Sequence, residues 1–120
     1  MSGMKPPHSI SAEAPDLRLA VSKATGRGIR IGLLDTGVDS RHPAFRKARL
    51  YHYEVIRGIL GHRIVPTAVG RDYGDHGTAC AGILHRAAPD AEIHSICVMT
   101  SPEGDRLSRL LTGLEFAIDQ

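Results

Sequence analysis

Two side chains in this sequence have the type and the setting for proton-transfer chemistry. Asp35 closes the apolar run Ile29-Arg30-Ile31-Gly32-Leu33-Leu34 and stands before a glycine turn, Thr36-Gly37. Such a run reads as a short core strand, and in an open parallel sheet the reacting groups gather at the carboxyl ends of the strands. His76 opens the segment Gly77-Thr78-Ala79-Cys80-Ala81-Gly82-Ile83-Leu84. Its small residues are poor material for a self-standing helix, because a glycine costs about 1 kcal/mol in a helix interior. They suit a helix that lies very close to other backbone, so His76 is read at the start of a buried, tightly packed helix. A helix N-terminus favours a neutral imidazole, the form that acts as a base. A carboxylate at a strand end and a histidine at a helix start are two members of an aspartate–histidine–nucleophile relay. The competing reading of His76, one of seven histidines, is a loop residue ahead of a core helix.

These residues carry a family resemblance. Asp35-Thr36-Gly37-Val38-Asp39 with His42-Pro43 resembles the aspartate motif of the subtilisin-like serine proteases, and His76-Gly77-Thr78 with Ala81-Gly82-Ile83 resembles their histidine motif. Aspartate precedes histidine, as in that family. Ala88-Pro89-Asp90-Ala91-Glu92-Ile93 is similar to the family's segment leading into the next core strand. Two motifs in the right order with a matching third segment are far more specific than either alone. The resemblance covers residues 15–120. It implies a serine-type endopeptidase acting on a peptide or protein substrate, with Asp35 and His76 as catalytic residues. Asp72 stands four residues before His76, where subtilases often have an aspartate near the substrate cleft, and is the candidate substrate contact. No cofactor is implied.

Composition sets the frame. One small domain fits in 120 residues. The hydrophobic fraction of 42% and the charged fraction of 23% are ordinary for a globular chain. A net charge of +2 is too small to suggest nucleic acid, and the Arg46-Lys47-Ala48-Arg49 cluster reads as a solvated face. No apolar run approaches transmembrane length, so no membrane partner is expected. Residues 1–14, rich in Ser, Pro and Gly, read as a flexible extension with no secretory core of about 7–15 apolar residues. On that ground a cytoplasmic location is expected. Residues 15–120 read as the N-terminal portion of a peptidase domain. Two cysteines, Cys80 and Cys97, make no disulfide framework and are expected as buried free thiols.

The elements that position the pair alternate along the chain. Leu17, Ala20, Val21 and Ala24 share one face of a helix near 16–24, which Thr25-Gly26-Arg27-Gly28 stops. Those glycines precede the strand, so they are not a dinucleotide loop. Leu50–Ile56 and Arg63–Thr67 read as the arms of a hairpin joined by residues 57–62, with Pro66 marking an edge strand. Glu92–Met99 reads as a further core strand, with His94 as a packed or edge residue. Leu107, Leu110, Leu111, Leu114, Ala117 and Ile118 form the apolar stripe of a closing helix. The expected class is α/β, a parallel sheet flanked by helices on both faces, subtilisin-like and incomplete at the C-terminus.

Metal sites are not expected. Many subtilases carry a calcium-ligating aspartate where this chain has Ala44, and their calcium loop follows the histidine helix, where Leu84–Pro89 is too short. Calcium prefers about six to eight oxygen ligands. His42, His52 and His62 match no short ligand pattern and are read as surface residues.

None of the serines lies in the Gly-Thr-Ser motif that the family uses. Losing the nucleophile costs a triad enzyme on the order of a millionfold in turnover. The chain is therefore expected to be inactive alone and to need a missing C-terminal segment carrying the asparagine and serine. Two rivals come from other classes. Leu33-Leu34-Asp35-Thr36-Gly37 also fits a homodimeric aspartic protease in which each subunit gives Asp35 to a shared dyad. A degenerate, non-catalytic subtilase serving as a binding module is the other.

Overall fold

The computed structural model describes Gly3, residues 23–100 and residues 104–120. The expected extension over 1–14, apart from Gly3, and the helix expected near 16–24, apart from its last two residues, lie outside the described residues.

Among the described residues, four strands and two α-helices follow in the order β1 (Arg30–Asp35), β2 (Arg49–Gly58), β3 (Gly61–Thr67), α1 (His76–Ala87), β4 (Glu92–Cys97) and α2 (Arg106–Asp119), with a short 3-10 turn at Pro43–Phe45. The sheet runs β1-β4-β2-β3. β4 pairs parallel with both β1 and β2, while β3 returns antiparallel to β2. The sheet is thus mostly parallel but mixed, because the hairpin adds an antiparallel edge. Pro66, which has no N–H to donate, sits on that edge strand as its chemistry requires. No described helix is long and apolar enough to cross a membrane.

Successive side chains in a strand point to opposite faces, and β1 shows what this does. Leu33 packs with Val38, Phe45 and Ala81 of α1 on one face, whereas Leu34 packs with Val55, Ile96, Val98 and Phe116 of α2 on the other. The helices therefore cover both faces. β4 lies between two parallel neighbours and is buried over most of its length, with Ile93 and Ile96 fully enclosed. Burying each such side chain stabilises the fold by about 1.5–3 kcal/mol.

Three elements differ from the sequence reading. The hairpin arms run further than their apolar runs suggest: Gly58 pairs with Gly61, so only Ile59-Leu60 form the turn. Of the three histidines read as surface residues, His62 is mostly buried and bonds Asp105 Oδ2 at 2.9 Å, and His52 is half-buried, its basicity lowered by that burial. The leucine stripe of α2 faces outward, with Leu107 and Ile118 68% and 73% exposed. Of the stripe only Ala117 packs inward, and α2 meets the sheet through it together with Gly113 and Phe116. A Cβ on Gly113 would lie 2.8 Å from Val98 Cγ1 and 3.2 Å from Ile96 Cγ2, so only glycine allows the approach.

Candidate active site

The register brings the ends of the parallel strands together. Asp35 pairs with Cys97, which pairs in turn with Glu54, and Val98 N–H donates to the Asp35 carbonyl. The Asp35 side chain is thereby set at the carboxyl edge of the sheet and is 10% exposed. Its Oδ1 accepts the Thr36 N–H at 2.7 Å.

α1 starts at His76 and lies across this edge. The His76 Nδ1 is 2.9 Å from Asp35 Oδ1 and 2.8 Å from Oδ2. An ionised carboxylate can only accept, so Nδ1–H donates and the tautomer is set, leaving Nε2 as an acceptor. The His76 side chain is 70% exposed; Nδ1 is held by Asp35, while Nε2 has the Cys80 thiol 4.0 Å away. Asp75, just before it, adopts a left-handed conformation (φ 62°) that few non-glycine residues adopt and does not cap the helix with its side chain.

The first turn of α1 is capped by Thr36 and Asp72 in place of Asp75. Gly77 N–H donates to Thr36 Oγ1 at 2.9 Å, and Thr78 N–H donates to Asp72 Oδ2 at 2.8 Å. Asp72 Oδ1 also accepts from the Thr36 hydroxyl at 2.6 Å and from Gly74 N–H at 3.0 Å, and Oδ2 accepts from the Thr78 hydroxyl. Thr78 Oγ1 accepts Asp39 N–H at 3.0 Å. Partial burial pushes the Asp72 carboxyl up, but the hydrogen bonds from Thr36, Thr78 and Gly74 outweigh it and hold the pKa down to about 2. Asp72 lies beside the pair with both oxygens turned to the chain's own donors. Thr36 and Thr78 were not singled out from the sequence. Their signal was there, since each is a short hydroxyl residue within two positions of Asp35 or His76.

Cys80 is half-buried rather than buried. One helical turn after His76, it shares that residue's face, and its Sγ lies 3.6 Å from Nδ1. Asp35, His76 and Cys80 form the one trio of metal-capable donors among the described residues, all within 4.8 Å of one another. The carboxylate and Nδ1 of that trio are already bonded to each other. Cys97 is buried, as expected, and burial pushes its thiol up to about 11. His94 is a packed residue, stacked on Tyr51 with ring centroids 4.8 Å apart.

The family model described as the subtilase family matches residues 26–116. The chain is 31% identical to a subtilisin-like proteinase of Encephalitozoon cuniculi over 80% of this chain and 20% of that protein. It is 28% identical to an intracellular serine protease of Paenibacillus polymyxa over 82% of this chain and 32% of that one. With subtilisin E of Bacillus subtilis the identity is 28%, over 78% of this chain and 25% of the enzyme. The chain thus spans between about a fifth and a third of the length of these relatives.

Proposed function

The chain belongs to the subtilase family, whose members are serine-type peptidases, and from that premise we propose that it supplies the aspartate and histidine of a serine endopeptidase. The observation that carries the reading is the hydrogen bond between Asp35 and His76 Nδ1 on an imidazole that is otherwise exposed. In the proposed mechanism Nε2 takes the proton of a serine hydroxyl as that oxygen attacks the peptide carbonyl. Asp35 keeps the imidazole in the right tautomer and stabilises the imidazolium that forms. His76 then returns the proton to the leaving amine.

We place the nucleophile and the oxyanion donor outside residues 1–120, because no serine here stands in a Gly-Thr-Ser context. The chain alone is then inert toward peptides. The homodimeric aspartic-protease reading needs a nearly all-β chain. The mostly parallel sheet covered by α1 and α2, with the family match, leaves it without support.

The test joins this chain to a subtilase segment carrying the asparagine and serine motifs. The joined protein should cleave casein and be blocked by a serine-reactive phosphonate, while the bare chain does neither. Cleavage by the bare chain that pepstatin stops would return the aspartic-protease reading. A joined, folded protein that binds peptide without cleaving it would favour the non-catalytic binding module.

A further inference from the structure

The cap of α1 does not come from Asp75, the residue at its N-terminus. It comes from Thr36, which adjoins Asp35, and from Asp72 in the preceding loop. Capping the helix and aligning the pair are therefore one interaction. The Thr36–Gly77 bond links the chain neighbours of Asp35 and His76, and at 2.9 Å it runs beside the 2.8 Å bond between their side chains. A threonine hydroxyl rotates freely unless a partner fixes it. Here it donates to Asp72 Oδ1, which turns an oxygen lone pair toward Gly77 N–H.

We propose that Asp72 is a positioning residue for the Asp35–His76 pair: its carboxylate clamps Thr36 at the end of β1 to Thr78 in the first turn of α1. The inference rests on the reading of Asp35 and His76 as a catalytic pair, and it gives Asp72 a role other than substrate contact. A carboxylate has about four acceptor sites. The Thr36 hydroxyl, Gly74 N–H, Thr78 N–H and the Thr78 hydroxyl fill them, so no lone pair is left for a peptide N–H. An arm of this kind matters because displacing a reacting group by about 1 Å costs on the order of a hundredfold in rate.

The test needs no activity. The 120-residue chain is labelled with 15N-histidine, and the tautomer of neutral His76 is read from its two ring-nitrogen shifts. Amide exchange at Gly77 and Thr78 is measured alongside. The parent chain should hold the Nδ1–H form, and Asp35→Asn should reverse it toward the Nε2–H form that free imidazole favours. Asp72→Asn should lose part of the Nδ1–H population and speed exchange at Thr78 on the order of tenfold or more. Thr36→Val removes the same link without changing charge and should do likewise at Gly77, whereas Thr36→Ser, which keeps the hydroxyl, should restore the parent spectrum. If Asp72→Asn fails to fold, the Thr36 pair carries the test. If Asp72→Asn and Thr36→Val speed amide exchange but leave the parent tautomer intact, while Asp35→Asn reverses it, Asp72 is only a loop staple and the proposal is overturned. If Asp35→Asn leaves the tautomer unchanged, the pairing of Asp35 with His76 itself fails, and the proposal falls with it for that separate reason.

Discussion

Gly77 and Gly37 meet backbone to backbone at the point where Asp35 and His76 come together. A Cβ placed on Gly77 would fall inside the van der Waals envelope of the Gly37 carbonyl oxygen and crowd its nitrogen. Gly77 therefore serves an approach of helix to turn, which brings the imidazole within reach of the carboxylate.

Replacing Gly77 by alanine should push α1 off the turn. Overpacking of this kind typically costs about 1–3 kcal/mol. Gly82 on the same helix has open space around its missing Cβ. Gly82→Ala should therefore stabilise the helix by about 0.5–1 kcal/mol through propensity. Thermal melts followed by circular dichroism should move in opposite directions. A Gly77→Ala chain that melts at or above the parent temperature would show the contact to be slack.

The two cysteines should separate cleanly by reactivity. Cys97 is buried, its thiol pushed up to about 11, and the thiolate is the reactive form. Cys80 is half-buried beside an exposed imidazole. At mildly alkaline pH a maleimide should label Cys80 in the folded chain and reach Cys97 only after denaturation, with mass spectrometry giving the sites. Equal labelling of both in the folded chain would contradict the burial of β4.

The pair and its supporting elements were legible because the signals were local. A strand ending in Asp35 and a small-residue helix opening at His76 can be read from composition and spacing, and the structure sets their side chains 2.8 Å apart. The α2 stripe misled because periodicity counts apolar residues and does not weigh size. Five large side chains cannot approach the sheet as closely as Gly113 can, so the Gly113 face turned inward. The antiparallel β3 was legible as a hairpin arm, but its extension to the Gly58–Gly61 pair was not, because apolar content does not report it. The capping by Thr36 and Asp72 was hidden for another reason. Its Thr36 bonds join residues far apart in sequence, and nothing in a lone threonine says which distant N–H it will accept.

Substitutions at the pair should hit turnover and spare docking. In the joined protein described above, His76→Ala should lower kcat by on the order of a millionfold. Asp35→Asn should keep the geometry but offer Nδ1 a different partner, and the wrong tautomer costs about ten-thousandfold. KM should stay near the parent value in both, because neither group is asked to bind the peptide. A rise in KM with kcat retained would move these residues from the proton path to the binding surface.

Acid should loosen this site before it exposes the core. Asp72 titrates near 2 in the folded chain against 3.8 as a free side chain, and Asp105 is also held below its ordinary value, by its bond to His62 and then by Arg109. A carboxylate whose folded pKa is depressed binds its proton more tightly when unfolded, so protonation favours the unfolded chain. The contribution of Asp72 is complete above about pH 4 and fades as the pH falls toward about 2. The urea midpoint of the parent should therefore drop through that window. Asp72→Asn cannot titrate, so it should start from a lower midpoint near neutral pH and fall less steeply, converging on the parent below about pH 2. If the two curves ran parallel across the window, the carboxylate of Asp72 would hold no preferential bond to Thr36 and Thr78 in the folded chain.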